Sequence, residues 1–119
     1  MADTTEQLHA EQRQSLEDHG LEAYYLVLLM SGGGGPTDAD ELTKLQEAHL
    51  ANNRRLHDEG HLKVAGPFGP ATPEEMRGVF ILKAENQQHA EALVNSDPSI
   101  QAGRLKAQIL EWYVEKGTF

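Results

Sequence analysis

Two rhythms of apolar and polar residues run along this chain, and each stretch between its Gly/Pro breaks follows one of them. YYLVLLM, residues 24–30, is aromatic and apolar on both faces, which predicts a strand covered on both sides. HLKVAGPFGP, residues 61–70, predicts a short strand through Leu62 and Val64 that ends in a Gly/Pro turn. GVFILKA, residues 78–84, again has an apolar centre, and RLKAQILEWYV, from Arg104 to Val114, makes a long final strand. In that last strand Lys106, Gln108, Leu110 and Trp112 share one face and Ala107, Ile109 and Tyr113 the other, and periodicity does not say which face meets a partner.

The 3.6-residue rhythm marks the helices. In LTKLQEAHLANNRRLHDEG, residues 42–60, Leu42, Leu45 and Leu56 fall on one face. Pro36 with Asp38 or Asp40 sets up the start of this helix, and Gly60 is its natural stop. Asn86 is a good cap for QQHAEALVNS, where Ala90, Leu93 and Val94 form the apolar stripe. Asp97-Pro98 ends that helix, because the residue before proline avoids the helical region. SGGGGPTDAD is a flexible connector. Residues 1–20 carry only Leu8 and Leu16 as large apolar side chains, too little to offset the entropy of ordering, so a frayed helix or a disordered arm is expected there. The single folded domain is expected over residues 21–119.

The resulting order, β-α-β-β-α-β, predicts an α+β fold. Its form is the ferredoxin-like one, an antiparallel four-stranded sheet with two helices on one face. Helices on one face leave strands that are apolar on both faces without a second cover. An exposed apolar sheet of that size marks an interaction surface. The expected cover is a second copy of the chain, giving a homodimer through the sheet face.

Composition narrows the class. At 119 residues the chain suits one domain, and it has no cysteine, which removes disulfides, thiolate metal sites and thiol catalysis. Its 19 acidic and 10 basic residues give a net charge of -9. Residues 1–22 hold six acids against one arginine, so the acidity is concentrated in the leader. A nucleic-acid partner would need a basic stripe, and the only adjacent basic pair is Arg54-Arg55, so none is expected. No apolar run approaches the roughly 20 residues needed to span a bilayer, and the N-terminus lacks the pattern of a signal peptide. A cytoplasmic protein with no membrane partner is the expectation.

His49 is the one polar residue in the middle of an apolar helix face, seven residues from both Leu42 and Leu56. Two readings fit it: a core or boundary histidine with satisfied hydrogen bonds, or an imidazole kept for proton transfer. Asn53, one turn on, is within reach of it in either case. Asp97 in SDPSIQAG likewise reads as an N-cap with Pro98 at the first helical position, and capping does not prevent a carboxylate from orienting an imidazole. GGGG at 32–35 lacks the Lys and Ser/Thr of a phosphate loop and reads as a plain loop. HDEGH, residues 57–61, has Gly60 between its histidines and Asp at its second position, so it fails as a zinc-protease motif and no metal site is expected. Met30, Phe68, Trp112 and Tyr113 are apolar enough to line a pocket, although aromatics at strand positions are usually core.

The runs EAHLANNRRLHDEGHLKVAGPFG and GVFILKAENQQHAEALVNSDPSIQAGRLKAQILEWY resemble the YCII-related family, small proteins of the dimeric α+β barrel type. The resemblance covers roughly residues 24–114 and rests on the His-Leu pair, the AGP turn and the SDP segment. It implies His49 and Asp97 as a catalytic pair; Met30, Asn53, Phe68 and Ser96 are the residues expected around the substrate. It also implies a homodimer with packed sheets. Some members act on small chlorinated aromatic compounds. The GGGG insertion and the acidic leader depart from the usual short form, and the insertion is expected at a pocket rim. The function implied is cofactor-free proton transfer or elimination on a small aromatic or enol-like molecule, the work of a lyase, isomerase or dehydrochlorinase. The alternative is a non-catalytic dimeric module that binds a small molecule or a protein. A cofactor-free oxygenase is a third option.

Overall fold

The centre of the sheet is β1 (Leu21–Ser31), whose aromatic and branched residues suit a pleated, two-sided surface. It pairs antiparallel with β3 (Met76–Leu82) on one side and with β4 (Leu105–Glu115) on the other. The short β2 (Leu62–Pro67) closes the sheet beyond β3, giving the order β2-β3-β1-β4. This computed structural model describes residues 4–119, so the expectation for residues 1–3 lies outside the described residues. The order and the antiparallel pairing are those of the ferredoxin-like fold, as the element pattern predicts.

Within β1, alternation sends Tyr25, Val27 and Leu29 to one face. There they meet Phe80 and Leu82 of β3, and Ile109 and Ala107 of β4 pack alongside. Two helices cover this face: α2 (Ala39–Asp58) supplies Leu56, and α3 (Gln87–Asn95) supplies Ala90, Leu93 and Val94. Val27, Leu56 and Leu82 are fully buried, and each such side chain removed from water is worth about 1.5–3 kcal/mol.

Caps fix where these helices begin. Asp38 accepts a hydrogen bond from Glu41 N at 3.1 Å, and Asn86 accepts one from His89 N at 2.8 Å. A third helix, α4 (Pro98–Gln101), is a single turn capped by Asp97.

Ahead of β1, α1 (Thr4–Asp18) is a helix of which no residue is buried. Arg13 ties it to the body through an ion pair with Glu111 at 2.7 Å, and Gln14 donates to Asp18 one turn on. No helix among the described residues is long and apolar enough to cross a membrane.

The opposite face of the sheet carries Tyr24, Leu26, Leu28, Val79, Ile81, Leu110 and Trp112. Among the described residues no helix supplies side chains to this face, and Leu110 and Trp112 are 38% and 39% exposed. Tyr24 and Ile81 are exceptions, 2% and 5% exposed, and Tyr24 is covered by a T-shaped contact with the Phe119 ring at 5.1 Å and by Lys83 Nζ, 4.7 Å from the ring centre. The Tyr24 hydroxyl donates to Glu22, and this bond, with burial next, pushes its pKa up to about 12. The folded state therefore holds the Tyr24 proton more tightly than the unfolded chain does, whose tyrosines ionise near pH 10. The associated stability is whole below about pH 10 and is lost as pH rises toward 12. Denaturant melts across that window should show Tyr24→Phe losing less stability than the parent between neutral and high pH; equal losses would contradict the coupling.

Candidate active site at the cleft between the first long helix and the SDP turn

Asp97 is held in place by its own turn. Oδ1 accepts the Ser99 N–H at 2.9 Å, Pro98 fixes the first helical position, and Asp97 is 1% exposed. The preceding Ser96 closes α3: its hydroxyl donates to Leu93 O at 2.6 Å. From α2, Asn52 Nδ2 donates to Ser96 Oγ at 3.2 Å, while Arg55 donates to Asn52 Oδ1 at 2.8 Å. This polar seam docks the SDP turn against the middle of α2.

His49 is on the same part of α2, one turn before Asn52. Its Nδ1 lies 2.6 Å from Asp97 Oδ2, with the imidazole side chain 12% exposed. A carboxylate accepts at both oxygens, so Oδ1 takes the Ser99 amide and Oδ2 takes a ring N–H. That places the ring proton on Nδ1 and the lone pair on Nε2. Asn53 agrees with this tautomer, since its Nδ2 lies 3.4 Å from Nε2 and is oriented as a donor. The ring also stacks on Phe80, with centroids 6.1 Å apart and planes 19° from parallel.

His49 opens onto a cavity of about 740 Å³, within the roughly 300–1,000 Å³ usual for small-molecule sites. Leu29, Phe80 and Leu105 make it apolar on the sheet side, and Leu50 and Asn53 border it on α2. Gly33, Gly34, Gly35 and Pro36 lie along its edge, so the glycine insertion does reach the pocket rim. The loop is tied down, however, and is not a free connector. Gly32 N donates to Arg104 O at 2.8 Å and Gly34 N to Gly103 O at 3.0 Å.

A Cβ on Gly32 would stand 2.2 Å from Gly103 O, a backbone atom that cannot turn away. Gly32→Ala is expected to cost about 1–3 kcal/mol, the scale of overpacking, and to loosen the rim. Chemical denaturation measures the cost; an unchanged midpoint would show that the loop can shift freely.

Of the residues named from sequence, His49, Asp97 and Asn53 come together here. Ser96 does not line the cavity; it positions Asp97 from behind. Met30 points to the opposite face of the sheet from Leu29, because side chains alternate along β1. Phe68 follows β2 at the Gly/Pro turn, and the aromatic beside the histidine is Phe80 instead. Asn52, Arg77 and Arg104 were not singled out in the sequence. Their spacing gives no signal for Arg77 or Arg104, but Asn52 and Leu56 share the inward stripe of α2. The HDEGH histidines are separate from the site: His57 is exposed, and the His61 ring meets His89 edge-on at 5.2 Å.

The YCII-related domain matches residues 25–113, which include every member of this constellation. The chain belongs to the YCII-related family. Among proteins of this family, uncharacterized protein YjpA of Bacillus subtilis is 30% identical over 77 residues, covering 61% of this chain and 86% of YjpA. Protein YciI of Escherichia coli is 37% identical over 75 residues, 55% of this chain and 76% of that protein. A solved structure of 5-chloro-2-hydroxyhydroquinone dehydrochlorinase (TftG) from Burkholderia phenoliruptrix, in complex with 2,5-dihydroxybenzoquinone, is similar to this YCII-related chain with a TM-score of 0.54. It is 25% identical, and the match covers 75% of this chain and 92% of TftG.

Proposed function

We propose that this protein is a small enzyme that uses His49 and Asp97 for proton transfer or elimination on a small aromatic or enol-like molecule. The observation that carries the reading is the 2.6 Å contact between a buried carboxylate and a histidine that borders a cavity of about 740 Å³. A core histidine would have both ring nitrogens satisfied and no space beside it. Here Asp97 orients one nitrogen, and the other has only the long contact from Asn53.

The chemistry follows from the tautomer. Nε2 takes a proton from a ring hydroxyl or an adjacent carbon, and Asp97 stabilises the imidazolium that forms. Asn53 Oδ1 is buried without a hydrogen-bond partner. A half-turn of the Asn53 amide exchanges donor for acceptor, so the same side chain can serve Nε2 in both protonation states. In an elimination the ring first takes its keto form, a proton moving from one hydroxyl to the chlorine-bearing carbon. Chloride then leaves that carbon with the C–Cl bonding pair as His49 removes the proton of a second ring hydroxyl. The ring then reaches the quinone level with no external oxidant. The similarity to a dehydrochlorinase supports this reaction class, and the stacked Phe80 supports a flat substrate.

The test is direct. The protein is titrated with 2,5-dihydroxybenzoquinone, and chloride release is followed from 5-chloro-2-hydroxyhydroquinone. Saturable binding with chloride release supports the enzyme; binding without release favours a non-catalytic ligand-binding module. Binding of neither compound overturns the reading.

The exposed sheet face supports a homodimer through that face as part of the same reading. Light scattering at micromolar concentration is expected to give about twice 13.1 kDa. A monomer at that concentration would leave Leu110 and Trp112 without the proposed cover.

A further inference from the structure

The cavity differs in charge from the chain that builds it. The protein carries a net charge of -9, yet no aspartate or glutamate lines the cavity and three arginines do: Arg54, Arg77 and Arg104. The arginines outside the cavity are paired, Arg13 with Glu111 and Arg55 with Glu59. Among the described residues, none of the three cavity guanidinium groups has an ion pair or a side-chain hydrogen bond.

Two of them rise from fixed backbone. Arg77 O accepts from Phe68 N at 3.0 Å within the sheet. Arg104 O accepts from Gly32 N at 2.8 Å, and Arg104 N donates to Ser99 O at 3.1 Å. Arginines that line a cavity without an ion-pair partner, in an acidic protein, suit a ligand that brings its own negative charge.

We propose that the cavity takes its ligand as a ring oxyanion, a flat molecule whose carboxylate, phenolate or enolate oxygens are held by Arg77 and Arg104, with Arg54 adding to the field. The ring lies against Phe80, beside His49. This inference rests on the cavity being the site of His49 chemistry and adds the ionisation state of the substrate. A cationic rim also explains how an acidic protein admits such a molecule, since the local field opposes the repulsion of the whole chain.

Two probes separate charge from shape. 2,5-Dihydroxybenzoquinone is a vinylogous acid and is anionic at neutral pH, whereas 2,5-dimethoxybenzoquinone keeps the ring and has no acidic proton. Calorimetric titrations compare the parent, the Arg77→Gln/Arg104→Gln double variant and a Lys44→Gln/Lys63→Gln control. The control removes the same charge from residues outside the cavity.

The anion is expected to bind the parent about tenfold more tightly than the neutral ring, the scale of two or three partly exposed charge pairs. That advantage should shrink with added salt and vanish in the arginine variant, but not in the lysine control. Equal affinity for the two rings overturns the oxyanion inference while leaving the His49 site standing. So does an equal loss in the lysine control. Failure of both rings to bind the parent overturns the site and the inference together.

Discussion

Glutamine in place of His49 is expected to lower the rate of the proton-transfer reaction by about 10²–10⁴, the usual contribution of a positioned acid–base group. The fold should persist, because a glutamine amide can still donate to Asp97 Oδ2 and the side chain sits at the edge of the core, 12% exposed. Stability should change by no more than about 1 kcal/mol, typical of substitutions that keep a partner. Leucine at the same position makes the opposite trade. It packs well against Phe80 but strips Asp97 Oδ2 of its donor, leaving a buried acceptor unsatisfied at about 1–3 kcal/mol. Single-turnover rates and denaturant midpoints on both variants separate the roles. A glutamine variant that keeps full turnover would reduce His49 to a packing residue.

Much of the architecture is legible in the residues because several local signals agree. The caps at Asp38, Asn86 and Asp97 are marked by residue type and by the helical pattern that begins just after each, and each accepts the expected backbone N–H. Strand order follows once four strands and two helices alternate in that sequence. What stays hidden is the inward direction of strands that are apolar on both faces. YYLVLLM offers Tyr24, Leu26, Leu28 and Met30 as readily as Tyr25, Val27 and Leu29, and only tertiary packing decides for the second set.

That ambiguity accounts for Met30, which hydrophobic character alone offers as a pocket residue although its face is the open one. It also accounts for Phe68. Apolar character offers it as readily as Met30, but on β3 alternation from Gly78 brings Phe80 inward. A Cβ at Gly78 would lie 2.6 Å from Gly66 O, so the close approach of β2 requires glycine there. Asn52 escaped notice for another reason. A buried amide in a helix stripe has a meaning only when its partners, Ser96 and Arg55, are known to be in reach. The charge of the cavity was invisible for the same cause, since Arg54, Arg77 and Arg104 come from three separated segments.

Asp97 gives the sharpest separation between structure and chemistry, because two substitutions divide its duties. Alanine removes both: Oδ1 no longer caps the Ser99 N–H, and the Nδ1–H of His49 loses its acceptor. A lost cap costs about 0.5–2 kcal/mol and an unsatisfied buried donor about 1–3 kcal/mol. A combined loss of about 3 kcal/mol, or roughly 10 °C in melting temperature, is expected for Asp97→Ala. Asparagine keeps the cap, since its Oδ1 still accepts from Ser99, so the melting temperature should stay near that of the parent. Its Nδ2, however, takes the place of Oδ2 and donates where the carboxylate accepted. The donor forces the lone pair onto Nδ1 and the proton onto Nε2, the nitrogen needed as the base. Turnover should therefore fall in Asp97→Asn by up to about 10⁴, the size of the wrong-tautomer effect in Ser-His-Asp enzymes. Nitrogen-15 NMR of the imidazole reads the tautomer independently of any substrate. A folded Asp97→Asn protein with its proton still on Nδ1 and its activity intact would show that the carboxylate acts only as a helix cap.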